Sequence, residues 1–204
     1  MQDDRDLIFS NIRKALEPLT ERAPYPEWDA ELAICREHPD FAELWELYAY
    51  KLKQVNGTPL SGLKELAEWL KQAGQTFGYC DPQLADELRA EPAFEGITLE
   101  TEFDRQRVDE YLFGITLASG AIAETGTVIL KDKETSARMG ALAPWTHVAI
   151  LRPERLLAST AEAIASLGDD PSVIWATGPS KTADVEGILI EGVHGPGTQI
   201  CCLV

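Results

Sequence analysis

The stretch THVAILRPERLLASTAEAIASLGDDPSVIWATG, residues 146–178, places a long amphipathic segment between two short apolar runs. THVAIL and SVIWATG have the length and the Val and Ile content of strands, and Pro153 to Leu167 reads as one long helix. A helix between two apolar strands is the sequence form of a crossover. It makes the strands parallel and implies a sheet covered on both faces.

The alternation continues upstream. GLKELAEWLKQAG (62–74) reads as a helix stopped by Gly74, QTFGYC (75–80) as a strand, and PQLADELRA (82–90) as a helix opened by Pro82. GITLE (96–100), LFGITLA (112–118) and TGTVIL (125–130) read as strands, with short helices at FDRQRVDEY (103–111) and ETSARMGAL (134–142). Downstream, GILIEGV (187–193) and TQICCLV (198–204) complete the strand set. The adjacent Cys201 and Cys202 must then face opposite sides of a sheet. The predicted fold is a three-layer α/β domain with a mostly parallel sheet over residues 60–204. A helical segment, residues 1–59, precedes it. There Leu7, Ile8, Ile12, Leu16 and Leu19 recur at helical spacing, Pro24, Pro26 and Pro39 mark a connection, and FAELWELYAYKLKQV ends at the C-cap signal Asn56-Gly57.

Composition narrows the function. The formal net charge of -16 over 204 residues argues against nucleic acid or an anionic membrane surface, both of which reward clustered Lys and Arg. The charge is uneven: up to Glu102 there are 10 basic and 21 acidic residues, and beyond it 8 and 13. The second half, at -5 against -11, leaves room for a local anion site. Cys35, Cys80, Cys201 and Cys202 contain no C-x-x-C pair and no zinc-ligand spacing with histidine, so they read as structural thiols and no metal is expected. The acidic start MQDDRD and the lack of an apolar run of about 18 residues point to a cytoplasmic chain with no membrane insertion.

Three stretches carry chemistry. ATGPSKTA puts Gly178, Ser180, Lys181 and Thr182 after a strand, where open α/β sheets bind ligands; a helical turn starting at Thr182 would aim free N–H groups and Lys181 at a small anion. In LFGITLASGAIAETGTVIL the single charge is Glu124, set among Gly114, Gly120 and Gly126. Such a carboxylate suits acid–base or nucleophilic work, and equally a helix cap or a pair with Lys181 or Arg138. Arg138 on a helix and His147 at a strand entrance are further candidate anion ligands, and His194 in GVHGPG is a candidate catalytic group. The chain has no G-x-x-x-x-G-K-[ST], no G-x-G-x-x-G after a strand and no G-x-S-x-G, so nucleotide-loop, dinucleotide and nucleophile-elbow chemistries fall away.

Taken together, GITLASGAIAETGT, RMGALAPWTHVAIL and ATGPSKTADVEGILIEGVHGPG resemble the lactate-utilization protein C family, built on the LUD domain. The resemblance covers about Leu60 to Val204. It implies a sheet like that of the ribose-phosphate isomerase, glucosamine-phosphate deaminase and coenzyme A transferase group. It also implies a role beside iron–sulfur partner proteins in oxidising L-lactate to pyruvate, with the clusters in those partners and no cofactor in this chain. The two Gly-Pro turns would frame the active edge. Two readings follow: a non-redox subunit of a lactate-oxidising assembly, or a stand-alone transferase or isomerase acting on a small carboxylate or phosphate with Glu124 as base or nucleophile.

Overall fold

The computed structural model describes residues 4–18, 40–135, 137–168, 172–183 and 188–204. Contacts divide the chain into two compact units, Met1–Glu37 and His38–Val204. The proline-rich connection and Cys35 lie outside the described residues. The first unit contributes helix α1 (Asp4–Leu16), which carries acidic residues in its first turn and basic ones in its last, as its dipole favours.

In the second unit the elements run α2 (Leu44–Gln54), β1 (Thr58–Ser61), α3 (Leu63–Gln72), β2 (Phe77–Cys80), α4 (Ala85–Ala90), β3 (Thr98–Glu100), β4 (Phe113–Leu117), β5 (Gly120–Ile122) and β6 (Thr127–Lys131). They continue with α5 (Arg138–Leu142), β7 (Thr146–Leu151), β8 (Leu156–Leu157), α6 (Thr160–Ser166), β9 (Val173–Ala176), β10 (Lys181–Ala183), β11 (Leu189–Glu191) and β12 (Thr198–Leu203). The predicted cap of α2 is present. Asn56 takes a left-handed φ of 66°, and the Gly57 N–H returns to the Leu52 carbonyl at 2.8 Å.

Six strands form a wholly parallel sheet in the order β1-β12-β7-β4-β2-β3. β7 lies near its middle and buries all six of its residues. Side-chain alternation then splits the core into two layers. Val148, Ile150 and Cys202 face α3 and α4 through Leu66, Leu70 and Leu88, while Ala149, Leu151 and Cys201 face Tyr48 and Leu52 of α2. The opposite facing expected of Cys201 and Cys202 is therefore observed.

The stretch from 146 to 178 departs from the crossover predicted for it. After β7 the chain makes a 3-10 turn at Pro153–Arg155, adds β8, and only then starts α6. Ser159 breaks the expected long helix. Its extended backbone and its side-chain oxygen, which accepts the Glu162 N–H at 3.3 Å, make it an N-cap. β9 joins a second sheet of order β8-β5-β6-β9, in which β6 is antiparallel to both neighbours. This sheet packs Ala121, Val128 and Leu130 against α2 and the parallel sheet, and Ile122 and Ile129 against Ala163 of α6. An antiparallel strand pair, β10-β11, is hydrogen-bonded to neither sheet.

Candidate functional site

In an open parallel sheet, ligands bind beyond the carboxyl ends of the strands where successive connections leave in opposite directions. Here that point is β2: the chain goes from β2 to β3 on one side, then crosses to β4 on the other. Beyond these strand ends lies a cleft of about 800 Å³ between the segment after β3 and the segment joining β6 to α5.

One wall is aromatic. Phe103 stacks on Tyr111 at 5.0 Å between ring centres and meets Tyr79 edge-on at 5.7 Å. Tyr111 is fixed in turn: its hydroxyl donates to Glu100 Oε2 at 2.9 Å and accepts the Asp104 N–H at 3.0 Å. The opposite wall is the polar segment Asp132–Thr135, which three strand ends hold in place. Gln83, after β2, donates to the Glu134 carbonyl at 3.2 Å; Ser119, after β4, accepts the Lys131 N–H at 3.0 Å; and Arg155, after β7, pairs with Glu134 at 2.6 Å. Arg138 rises from this wall with Nε donating to Asp132 Oδ1 at 2.9 Å and Nη2 to Oδ2. That bidentate pair fixes the guanidinium plane and leaves its other N–H groups for a ligand. Thr135 lines the same cleft; its hydroxyl is buried and has no hydrogen-bond partner among the described residues.

Residues 62–204 match the model of the LUD domain. The chain belongs to the LUD domain family. Among curated relatives, lactate utilization protein C of Oceanobacillus iheyensis is 34% identical over 122 residues, covering 56% of this chain and 51% of that protein. The protein of the same name from Deinococcus radiodurans is 33% identical over 116 residues, covering 54% and 50%. The chain thus spans about half the length of these relatives. At 26% identity, lactate utilization protein C of Macrococcus caseolyticus aligns over 93% of this chain and 90% of its own. A crystal structure of a DUF162 family protein from Deinococcus radiodurans shares the fold at a TM-score of 0.55 and 19% identity, covering 80% of this chain and 97% of that one.

Of the residues singled out in the sequence, only Arg138 reaches the cleft of this LUD domain. His147 sits in the sheet interior, where Nε2 meets the Thr116 hydroxyl at 2.8 Å and Nδ1 meets Gln199 Oε1 at 2.9 Å. An amide oxygen only accepts, so Nδ1 carries a proton. Burial drives its pKa down to about 4. With both nitrogens occupied and no charge, His147 ties β4, β7 and β12 together and is not placed to bind an anion. An unfolded chain protonates this ring near 6.5 and the folded one near 4, so stability should fall as pH drops across that window, by about 3 kcal/mol in total. Urea unfolding of the parent and of His147→Gln at several pH values checks this; the slope that the histidine contributes should vanish in the variant.

Glu124, in the turn from β5 to β6, accepts the Thr160 N–H at the start of α6. Of the sequence readings for it, catalysis, a helix cap or a pair with Lys181 or Arg138, the contact observed is the helix cap. Ser180, Lys181 and Gly178 come together with the GVHGPG loop, at the end of α2 and away from the cleft. The Ser180 N–H donates to the Pro196 carbonyl at 2.9 Å, and Lys181 Nζ donates to the Val55 carbonyl at 2.8 Å and lies 3.8 Å from Glu191. The helical turn expected at Thr182 is instead strand β10, paired with Ile190, so no helix amides converge there. The GVHGPG loop enters β12 at the amino edge of the parallel sheet, opposite the edge that the Gly-Pro turns were expected to frame, and His194 is exposed in it. Tyr79, Phe103, Arg105, Asp132 and Thr135 went unselected. The sequence signal is weak: Arg105, Asp132 and Thr135 are polar residues shortly after the strands GITLE and TGTVIL, and Tyr79 and Phe103 carry none.

Proposed function

We propose that this chain is the non-redox, ligand-binding subunit of an L-lactate utilization system, acting with iron–sulfur partner proteins in the oxidation of L-lactate to pyruvate. On this reading its sheet is of the ribose-phosphate isomerase, glucosamine-phosphate deaminase and coenzyme A transferase kind. The observation that carries the proposal is the LUD domain match over residues 62–204, shared with proteins named for lactate utilization. The cleft supports a ligand-binding task, because Arg138 stands ready oriented at the strand ends for an organic anion.

The thiols support the non-redox part. Cys80, Cys201 and Cys202 are fully buried, and burial raises each thiol to about 12, far from the thiolate that metal ligation or redox exchange needs. Electrons from the hydroxy acid then pass to carriers in the partners. Affinity purification of the tagged chain from lactate-grown native cells, with mass spectrometry and iron analysis, tests this. Iron–sulfur proteins should co-purify. L-lactate-dependent dye reduction by the purified lone chain would overturn the non-redox assignment.

A further inference from the structure

The cleft at the carboxyl ends of β2 and β3 has more room and a different lining than lactate calls for. A volume of about 800 Å³ lies within the range of sites that hold drug- and cofactor-sized ligands. Polar and apolar groups stand on both sides of it: Phe103 shares its segment with Thr101, the exposed Glu102 and Arg105, and Arg138 shares its own with Ala137 and Met139. On the α5 side, both oxygens of Asp132 are taken by Arg138, so that pair presents guanidinium donors, and Glu102 across the cleft is the carboxylate left in the lining. Across the cleft, on the segment of Phe103, Arg105 adds a second guanidinium, with no side-chain hydrogen bond or ion pair among the described residues. Phe103 and Tyr79 supply aromatic surface, and Met139, next to Arg138 on α5, supplies an exposed apolar side chain.

Thr135 supplies the independent pointer. Thr135 is only 9% exposed, it lines the cleft, and its hydroxyl has no partner among the described residues. A buried hydroxyl without a hydrogen bond costs stability, and in a native fold such a group calls for a partner, a water or a bound molecule. We propose that this cleft binds an organic anion carrying a ring-sized apolar body, its carboxylate or phosphate held by Arg138 and the Thr135 hydroxyl and its apolar body resting on Phe103 and Met139. The proposal builds on the reading of the cleft as the ligand site of the subunit and names a larger ligand class than lactate, which has no apolar body to set against Phe103 and Met139.

Isothermal calorimetry of the full chain decides it, with 3-phenyllactate and phenyl phosphate as ring-bearing anions, L-lactate as an anion without a ring, and benzyl alcohol as a ring without an anion. At least one ring-bearing anion should bind saturably, and which one does tells carboxylate from phosphate. L-lactate and benzyl alcohol should bind at least about tenfold more weakly, as expected when the apolar contact or the charge-assisted bonds are missing. Thr135→Val, which keeps the shape and removes the hydroxyl, should weaken the ring-bearing anion about tenfold while leaving the melting temperature unchanged or raised, because the hydroxyl contributes nothing to the fold. Arg138→Gln should lose affinity by a similar or larger factor, and Lys181→Ala, remote from the cleft, should bind like the parent. The proposal is overturned if neither ring-bearing anion binds, if L-lactate binds as tightly as 3-phenyllactate, or if Thr135→Val and Arg138→Gln both leave affinity unchanged. These binding results do not depend on partner proteins, so a failure here is separable from a failure of the lactate-system assignment.

Discussion

Gly114→Ala is expected to destabilise the protein by about 3 kcal/mol or more, which for a chain of this size lowers the melting temperature on the order of 10 °C. Gly114 lies on β4, where α5 crosses the sheet so closely that an added Cβ would overlap the carbonyl oxygen of Gly140 and press on Pro144. Backbone cannot turn aside as a flexible side chain can. Gly140 is equally constrained from the other side, since its own Cβ would enter the ring of Tyr79. The helix is thus wedged between β4 and Tyr79 by two glycines, and any displacement carries Arg138 and the cleft wall with it. Gly74→Ala is the control. Gly74, just past the end of α3, has a φ of 69° and open space around its Cβ position, so alanine there meets only backbone strain of about 1 kcal/mol. Thermal melts of the two variants should differ clearly, and equal melting temperatures would show that the close approach of α5 to β4 does not matter to the fold.

Much of this architecture is legible in the sequence because buried strands advertise themselves. GITLE, LFGITLA, THVAIL and TQICCLV are compact apolar runs, and each appears in the parallel sheet. β1 is hidden in TPLS because Pro59 reads as a break; in the fold β1 is an edge strand, which needs backbone donors on one side only. β5 is hidden in a run of Gly, Ala and Ile between two other apolar runs, with no turn residue strong enough to separate it. The error over 146–178 has a local cause. Ser159 and Glu162 form the S-x-x-E pattern of a helix start, and the Ala158 N–H does bond Glu162 at 2.8 Å, yet the surrounding Leu and Ala look like uninterrupted helix.

The site was less legible than the fold, since its parts come from strand ends far apart in sequence. Arg138 acts with Asp132 and faces residues after β3, and no linear spacing encodes that meeting. The conspicuous Gly-Pro stretches serve packing instead. Gly178, with φ at 74°, lets its loop close on the Val55 carbonyl, and Gly192 and Gly197 accept the ring of Trp145.

Deleting the gene should abolish growth on L-lactate and leave growth on pyruvate intact, because the proposed step lies before pyruvate. Within that background, site variants separate ligand binding from structure. Arg138 is exposed enough that its loss should spare the core, but it removes charge-assisted hydrogen bonds from the cleft, which lowers affinity for an anion by roughly ten- to a hundredfold. Glu124→Ala instead loses a helix cap, at a cost of about 1 kcal/mol, and a chain that still folds should still support growth. The most direct measurement is therefore the growth rate on L-lactate of the deletion strain complemented with Arg138→Ala at wild-type protein level, beside Glu124→Ala. A severe growth defect in the Arg138→Ala strain, with near-normal growth of the Glu124→Ala strain and of both on pyruvate, is the predicted result; wild-type growth of the Arg138→Ala strain on L-lactate would contradict the placement of the functional site in the cleft.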